Sequence, residues 1–151
     1  MRRRVIALAV VAVLAIAGVK TWAQVSTGQE DATGAWNVTI APEGFPPCAA
    51  PSLMTADGGM VANACANNES PGYGQWVRTG KREFAATFVG LEYAADGTAN
   101  GTYKVRATAV VSRDGQRFRG PFVSDIFALD GTLVFTVKGE VRGNRVVVEP
   151  L

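Results

Sequence analysis

The chain has no histidine. Without an imidazole to take the proton, a Ser-His-Asp or Cys-His catalytic arrangement is excluded. Cysteine is scarce. Cys48 and Cys65 are the two present, too few without His for a structural zinc site, so no metal is expected. Lysine and arginine are missing between Gln24 and Gly74, a stretch that holds Glu30, Asp31, Glu43, Asp57 and Glu69. No P-loop or dinucleotide fingerprint leads a strand into a helix, and no cofactor is implied. No window after Thr33 keeps a helical period over several turns.

The one extended apolar stretch lies at the start. Arg2, Arg3 and Arg4 precede an apolar run over residues 5–19, and Thr21-Trp22-Ala23 ends it with small residues where a signal peptidase reads. The run is about 15 residues, short of the roughly 20 that a spanning helix needs. Residues 1–23 are therefore expected to be a secretory signal peptide cleaved after Ala23, leaving no stable membrane span and a secreted or periplasmic product. In that oxidising setting Cys48 and Cys65 are expected to pair.

Removing the signal also changes the charge. The full chain carries a net +2, but Arg2, Arg3, Arg4 and Lys20 belong to the leader, so 11 basic residues then face 13 acidic ones. The basic pI is thus no argument for nucleic-acid binding. Residues 24–33 read as a flexible lead-in and 34–151 as one domain with enough chain for a core.

What fills that domain is β pattern. Alternating β-branched and aromatic stretches are cut by Asp57-Gly58, Asp96-Gly97, Asp114-Gly115 and Asp130-Gly131, with Gly80-Lys81 and Gly143-Asn144 as further turns. Asp-Gly suits a tight two-residue hairpin. Strands are expected over 35–41, 52–56, 60–64, 75–79, 82–93, 102–112, 117–129, 132–142 and 145–149. The turns set register: Phe88 faces Val105, Tyr103 faces Ile126, Phe122 faces Ala107 and Gly139, and Ser124 faces Val137. Large side chains meet small ones on one apolar face, as a curved sheet filled from inside requires. The fold expected is all-β, an antiparallel up-and-down meander closing into a barrel of eight or nine strands. Lys104 falls opposite Asp125 as an ion pair. Val89, Leu91, Val123, Phe127 and Val134 form an outer apolar row, and no carboxylate is expected to point inward.

Gly34-Ala35-Trp36 opens the first strand. A G-x-W there, in an exported meander, resembles the calycin barrels, which include lipocalins, fatty-acid-binding proteins and avidins. The resemblance implies that Trp36 closes one barrel end beneath a basic residue of a late strand, with Arg142 the best match and Arg145 the second. It rests on few residues. No avidin biotin-site pattern is present, the haem-binding barrels use a His that this chain lacks, and the usual lipocalin helix has no counterpart.

Two long connections, 42–51 and 65–74, fall at the end opposite Trp36 and place Cys48 near Cys65. A pocket beneath them would be walled by Phe88, Tyr103, Val105, Ser124, Ile126, Phe135 and Val137, with Phe45 and Tyr73 as lids. Such a pocket suits a small hydrophobic ligand. The leading expectation is an exported, non-catalytic barrel holding that ligand. The alternatives are an envelope protein-interaction or inhibitor module with a filled barrel, and a cofactor-free cyclase or isomerase using Tyr103. Asn37, Asn68 and Asn100 begin glycosylation sequons.

Overall fold

The computed structural model describes residues 31–150; the expected signal peptide and residues 24–30 of the lead-in lie outside them. Nine strands occur: β1 Gly34–Pro42, β2 Cys48–Ala49, β3 Ser52–Met54, β4 Gly59–Ala62, β5 Gly72–Arg78, β6 Glu83–Tyr93, β7 Ala99–Val111, β8 Arg117–Ala128 and β9 Leu133–Arg145. They form one antiparallel meander that closes through β1 against β9. Eight strands make the barrel. The two-residue β2 is an additional strand, paired with β1 beside β3.

The expected registers hold from β6 to β9: Phe88 pairs with Val105, Tyr103 with Ile126, Ser124 with Val137, and Phe122 with Ala107 and Gly139. The turns that set them differ from expectation. The glycine of each Asp-Gly pair has positive φ, but no other residue type does among those described, so the two-residue turn with both centres left-handed is ruled out. Instead the chain turns over four residues and places Gly in the left-handed position. Gly58, Gly97, Gly115 and Gly131 donate to Thr55, Ala94, Ser112 and Ala128 respectively. Each Asp carboxylate then accepts from the backbone N–H two residues on, at Gly59, Thr98, Gln116 and Thr132, the usual way Asp stabilises a turn. Bulges at Glu92/Tyr93 and Ile126/Phe127 absorb the extra residue, which is why the register beyond them is unchanged.

A second difference lies at Gly143-Asn144. No turn occurs there; β9 runs straight through to Arg145. Gly143 serves packing instead. A Cβ at this position would sit 2.2 Å from Phe118 Cε1.

Closure staggers the strands. Following paired residues round the barrel from Thr136 on β9 passes Asp125, Lys104, Val89, Tyr73, Val61, Leu53 and Ala35. The circuit returns to Val146, just past the end of β9, whose N–H donates to the Ala35 carbonyl, ten residues along from Thr136. A stagger of this size over eight strands tilts them by about 40°.

Inside, Trp36 meets Phe118 edge-on with centroids 4.9 Å apart, and Phe118 meets Phe84 at 5.3 Å. Each such pair contributes about 1 kcal/mol beyond its burial. Trp36 donates its Nε1–H to the Ala32 carbonyl, and Trp76 donates to Thr55. The residue over Trp36 is Arg145, with its guanidinium carbon 4.2 Å from the ring centroid. Arg142 instead lies exposed on the outer wall, paired with Glu140. Placing a turn at Gly143-Asn144 ends the strand three residues early, at Arg142, and selects the wrong arginine. Arg145 also donates to the carbonyls of Asp31, Thr33 and Gly115. Thus the last three lead-in residues are bound to the barrel.

Candidate functional site

The barrel end opposite Trp36 gathers four connections, those after β1, β4, β6 and β8. Cys48 and Cys65 form a disulfide there, with Cα atoms 5.6 Å apart. It ties β2 to a strap running over residues 65–71. The strap lies along the end of β6: Ser70 N–H donates to the Leu91 carbonyl, Tyr93 N–H donates to Asn68, and Glu69 bridges to Glu92.

Tyr103 stands beneath the strap. Its ring rests edge-on against Phe88 and occupies the room left by Gly90, where a Cβ would come within 2.4 Å of it. Its hydroxyl donates to the Ser70 carbonyl at 2.7 Å. Burial first, then the charges of Glu69 and Glu92, push its pKa up to about 12. The phenol thus holds the strap down as a hydrogen-bond donor.

The seven expected pocket residues divide into two groups. Phe88, Tyr103 and Val105 are buried in the core. Ser124, Ile126 and Val137 are half-buried, while Phe135 is exposed on the part of β9 beyond the last β1 pair at Pro42 and Gly139. The void between the core side chains has a volume of about 30 Å³. That is far below the 300 Å³ or more of ligand pockets. Phe45 is exposed in the connection after β1. Tyr73 is not a rim lid, because it points outward from β5 between the inward Gly72 and Gly74.

Two features went unseen in the sequence. Glu92 continues the inward set of Phe84, Ala86, Phe88 and Gly90, so a carboxylate does reach the inner side at the rim. Strict alternation along β6 would have found it. Burial first, then Glu69, raises its pKa. Glu69 is held by the N–H groups of Cys65 and Ala66. Asp125 lies opposite Lys104 as expected, but its ion-pair partner is Arg106, two residues along the same face of β7.

The second feature is on the outer wall. Leu53, Val61, Tyr73 and Val89 are exposed and directly paired across β3, β4, β5 and β6. Of the expected outer row, Val89, Leu91 and Val134 are exposed, while Val123 and Phe127 are half-buried. The new row runs round the barrel in the other direction, and the strands β1 to β5 contribute no charged residue before Arg78. Beside it, the short side chains of Ala85, Thr108 and Pro121 leave an open depression of about 300 Å³. The wall made by β7, β8 and β9 carries the charges, including the pairs Arg106–Asp125 and Arg119–Glu140.

No protein-family model, curated protein or solved structure matches the chain. The class is therefore defined by architecture: a small closed antiparallel barrel of eight strands with an additional short strand and a buried aromatic cluster.

Proposed function

We propose that the chain is an exported, non-catalytic binding barrel whose filled interior is a scaffold and whose uncharged outer wall contacts protein. The observation that carries this reading is the exposed row of Leu53, Val61, Tyr73 and Val89. Contiguous apolar patches on a soluble surface mark interaction sites, and a protruding Tyr among aliphatic neighbours is a frequent centre of binding energy. Export is motivated by the basic start, the apolar run over residues 5–19 and the small residues before Gln24. The calycin likeness is supported by closure in eight strands and by the stacking of a late-strand arginine on the tryptophan of Gly34-Ala35-Trp36.

The test is recovery of bound proteins from an envelope extract with the wild-type chain and with Val61→Glu/Tyr73→Glu. Both side chains are exposed, so the fold should tolerate the change, which circular dichroism checks. Loss of bound protein in the double variant is expected. The same proteins recovered with both forms would remove this reading.

A second reading, a small apolar ligand at the open end, is favoured by Ile126, Phe135 and Val137 lying together on the inner side of β8 and β9. Native mass spectrometry of protein from its source tests it. Such a ligand should add mass to the wild type and be lost from Phe135→Asp; a bare chain mass in both would end it.

A further inference from the structure

The outer row poses a question of its own: what chemistry covers it. We infer that its occupant is a second copy of the same chain, packed face to face across a twofold axis. This inference rests on the reading of the outer wall as a protein-contact surface.

Three observations support it. The first is electrostatic. A twofold interface brings the same patch of each subunit together, so the patch must tolerate itself. The outward side chains of β3 to β5 ahead of Arg78, namely Leu53, Val61, Tyr73, Gln75 and Val77, carry no charge, and self-docking there opposes no like charges. The wall of β7 to β9 could not meet itself so easily. Lys104, Arg106, Arg117, Arg119 and Lys138 outnumber its acidic residues. A different protein would be chosen largely through charge complementarity, and the row offers none.

The second observation is size. Leu53, Val61, Tyr73, Val77, Val89 and Leu91 are all exposed large apolar side chains on neighbouring strands. With the polar residues between them they present on the order of 700 Å² per copy, close to the roughly 800 Å² that each partner gives to a standard specific interface.

The third is shape. The row crosses four neighbouring strands, so two copies can pack as two sheets do in a sandwich, about 10 Å apart with strands inclined by about 30°. Tyr73 is the most exposed of the row's four members, at 62 %. It points outward from β5, so its ring can reach between the strands of the facing copy.

Sedimentation equilibrium of the purified chain from about 1 to 100 µM tests the inference. A monomer–dimer equilibrium is expected in that range. Tyr73→Glu should weaken it by about 100-fold, since two charges become buried without partners. Arg119→Glu, on the charged wall, should leave it within about twofold. Radical footprinting gives a readout independent of variants: labelling of Tyr73 and Leu53 should fall as concentration rises, while labelling of Val134 stays constant. A chain that remains monomeric at 100 µM, or a dimer that Tyr73→Glu leaves intact and that does not protect Tyr73, overturns the self-association. The wider outer-wall reading falls by the separate result that Val61→Glu/Tyr73→Glu and the wild type retrieve the same proteins. The two failures are therefore distinguishable.

Discussion

The guanidinium carbon of Arg145 lies over the indole of Trp36, 4.2 Å from the ring centroid, and in the same pose the side chain donates to three backbone carbonyls on two segments, those of Asp31 and Thr33 before β1 and that of Gly115. One side chain thereby joins the end of β9, the start of β1 and the turn at Gly115. The stack favours Trp36 by about 1 kcal/mol, and charge-assisted bonds to otherwise unpaired carbonyls add more.

Arg145→Ala should therefore lower unfolding free energy by about 3 kcal/mol in urea titrations, combining the lost stack with partly exposed hydrogen bonds. Arg145→Lys should recover less than half of that, because an ammonium cannot reach three carbonyls as a planar fork does. Arg142→Ala should cost under about 1 kcal/mol, because its partner Glu140 is on the exposed wall. Equal losses at the two positions would refute the assignment of Arg145 as the closing residue.

Phe118 fills the space over Gly143, so Gly143→Ala should displace the ring that Trp36 and Phe84 both contact. The expected cost is about 3 kcal/mol, at the upper end for overpacking. Gly97→Ala makes the contrast. Its φ is +82° but nothing lies within 4 Å of the added Cβ, so only backbone strain of about 1 kcal/mol should appear. Thermal unfolding of both variants separates a packing glycine from a turn glycine.

That distinction explains much of what was legible. Along β6 to β9 the alternation of Phe, Tyr and Val with small residues is local, and the Asp-Gly reversals transmit register from hairpin to hairpin. Even a wrong turn type left Phe88 opposite Val105 and Ser124 opposite Val137, because bulges took up the difference. Gly143 was misread because a glycine that makes a turn and one that makes room for a ring look alike in sequence. The choice of Arg142 over Arg145 followed from that error. Interior volume was hidden for another reason. It depends on the ten-residue stagger at closure, a relation between Thr136 and Val146 that local pattern does not contain. The outer row was missed on β3 and β4 because strands this short show almost no alternation.

Stability should also respond to pH through the mouth. Glu92 lies opposite Glu69, and burial first, then that neighbour, raise its pKa in the folded chain. A carboxyl with a raised folded pKa binds more protons folded than unfolded, so its contribution falls as pH rises from about 4.5 through the folded value. Above that window the folded state bears a charge that it disfavours. Glu92→Gln should consequently stabilise the protein at pH 7 and give no gain at pH 4. The turn aspartates act oppositely. Hydrogen bonds, chiefly from Thr55, Thr98, Ser112 and Thr132, hold Asp57, Asp96, Asp114 and Asp130 below their ordinary value. Their contribution is present above about 3.8 and is lost on acidification. Urea midpoints measured across pH for both proteins check this, and a gain for Glu92→Gln that persists at pH 4 would contradict it.

The disulfide should matter most at the open end. Cys48 and Cys65 are 17 residues apart, and cross-linking a loop of this length stabilises by about 3 kcal/mol in the chain-entropy account. Cys48→Ser/Cys65→Ser should therefore lower Tm by about 10 °C for a domain of this size. The loss should not be uniform. The strap is held to β6 by Ser70 and Asn68 and to the core by the Tyr103 hydroxyl, contacts near the surface that can open locally. Backbone amides of Ser70 and Tyr93 should exchange with solvent much faster in the variant, while Trp36 and Val111, at the opposite end, should accelerate only as far as the loss of global stability dictates. Hydrogen exchange resolved by residue separates these outcomes. Equal acceleration at both ends would mean that the bond supports the whole barrel and does not specifically clamp its mouth.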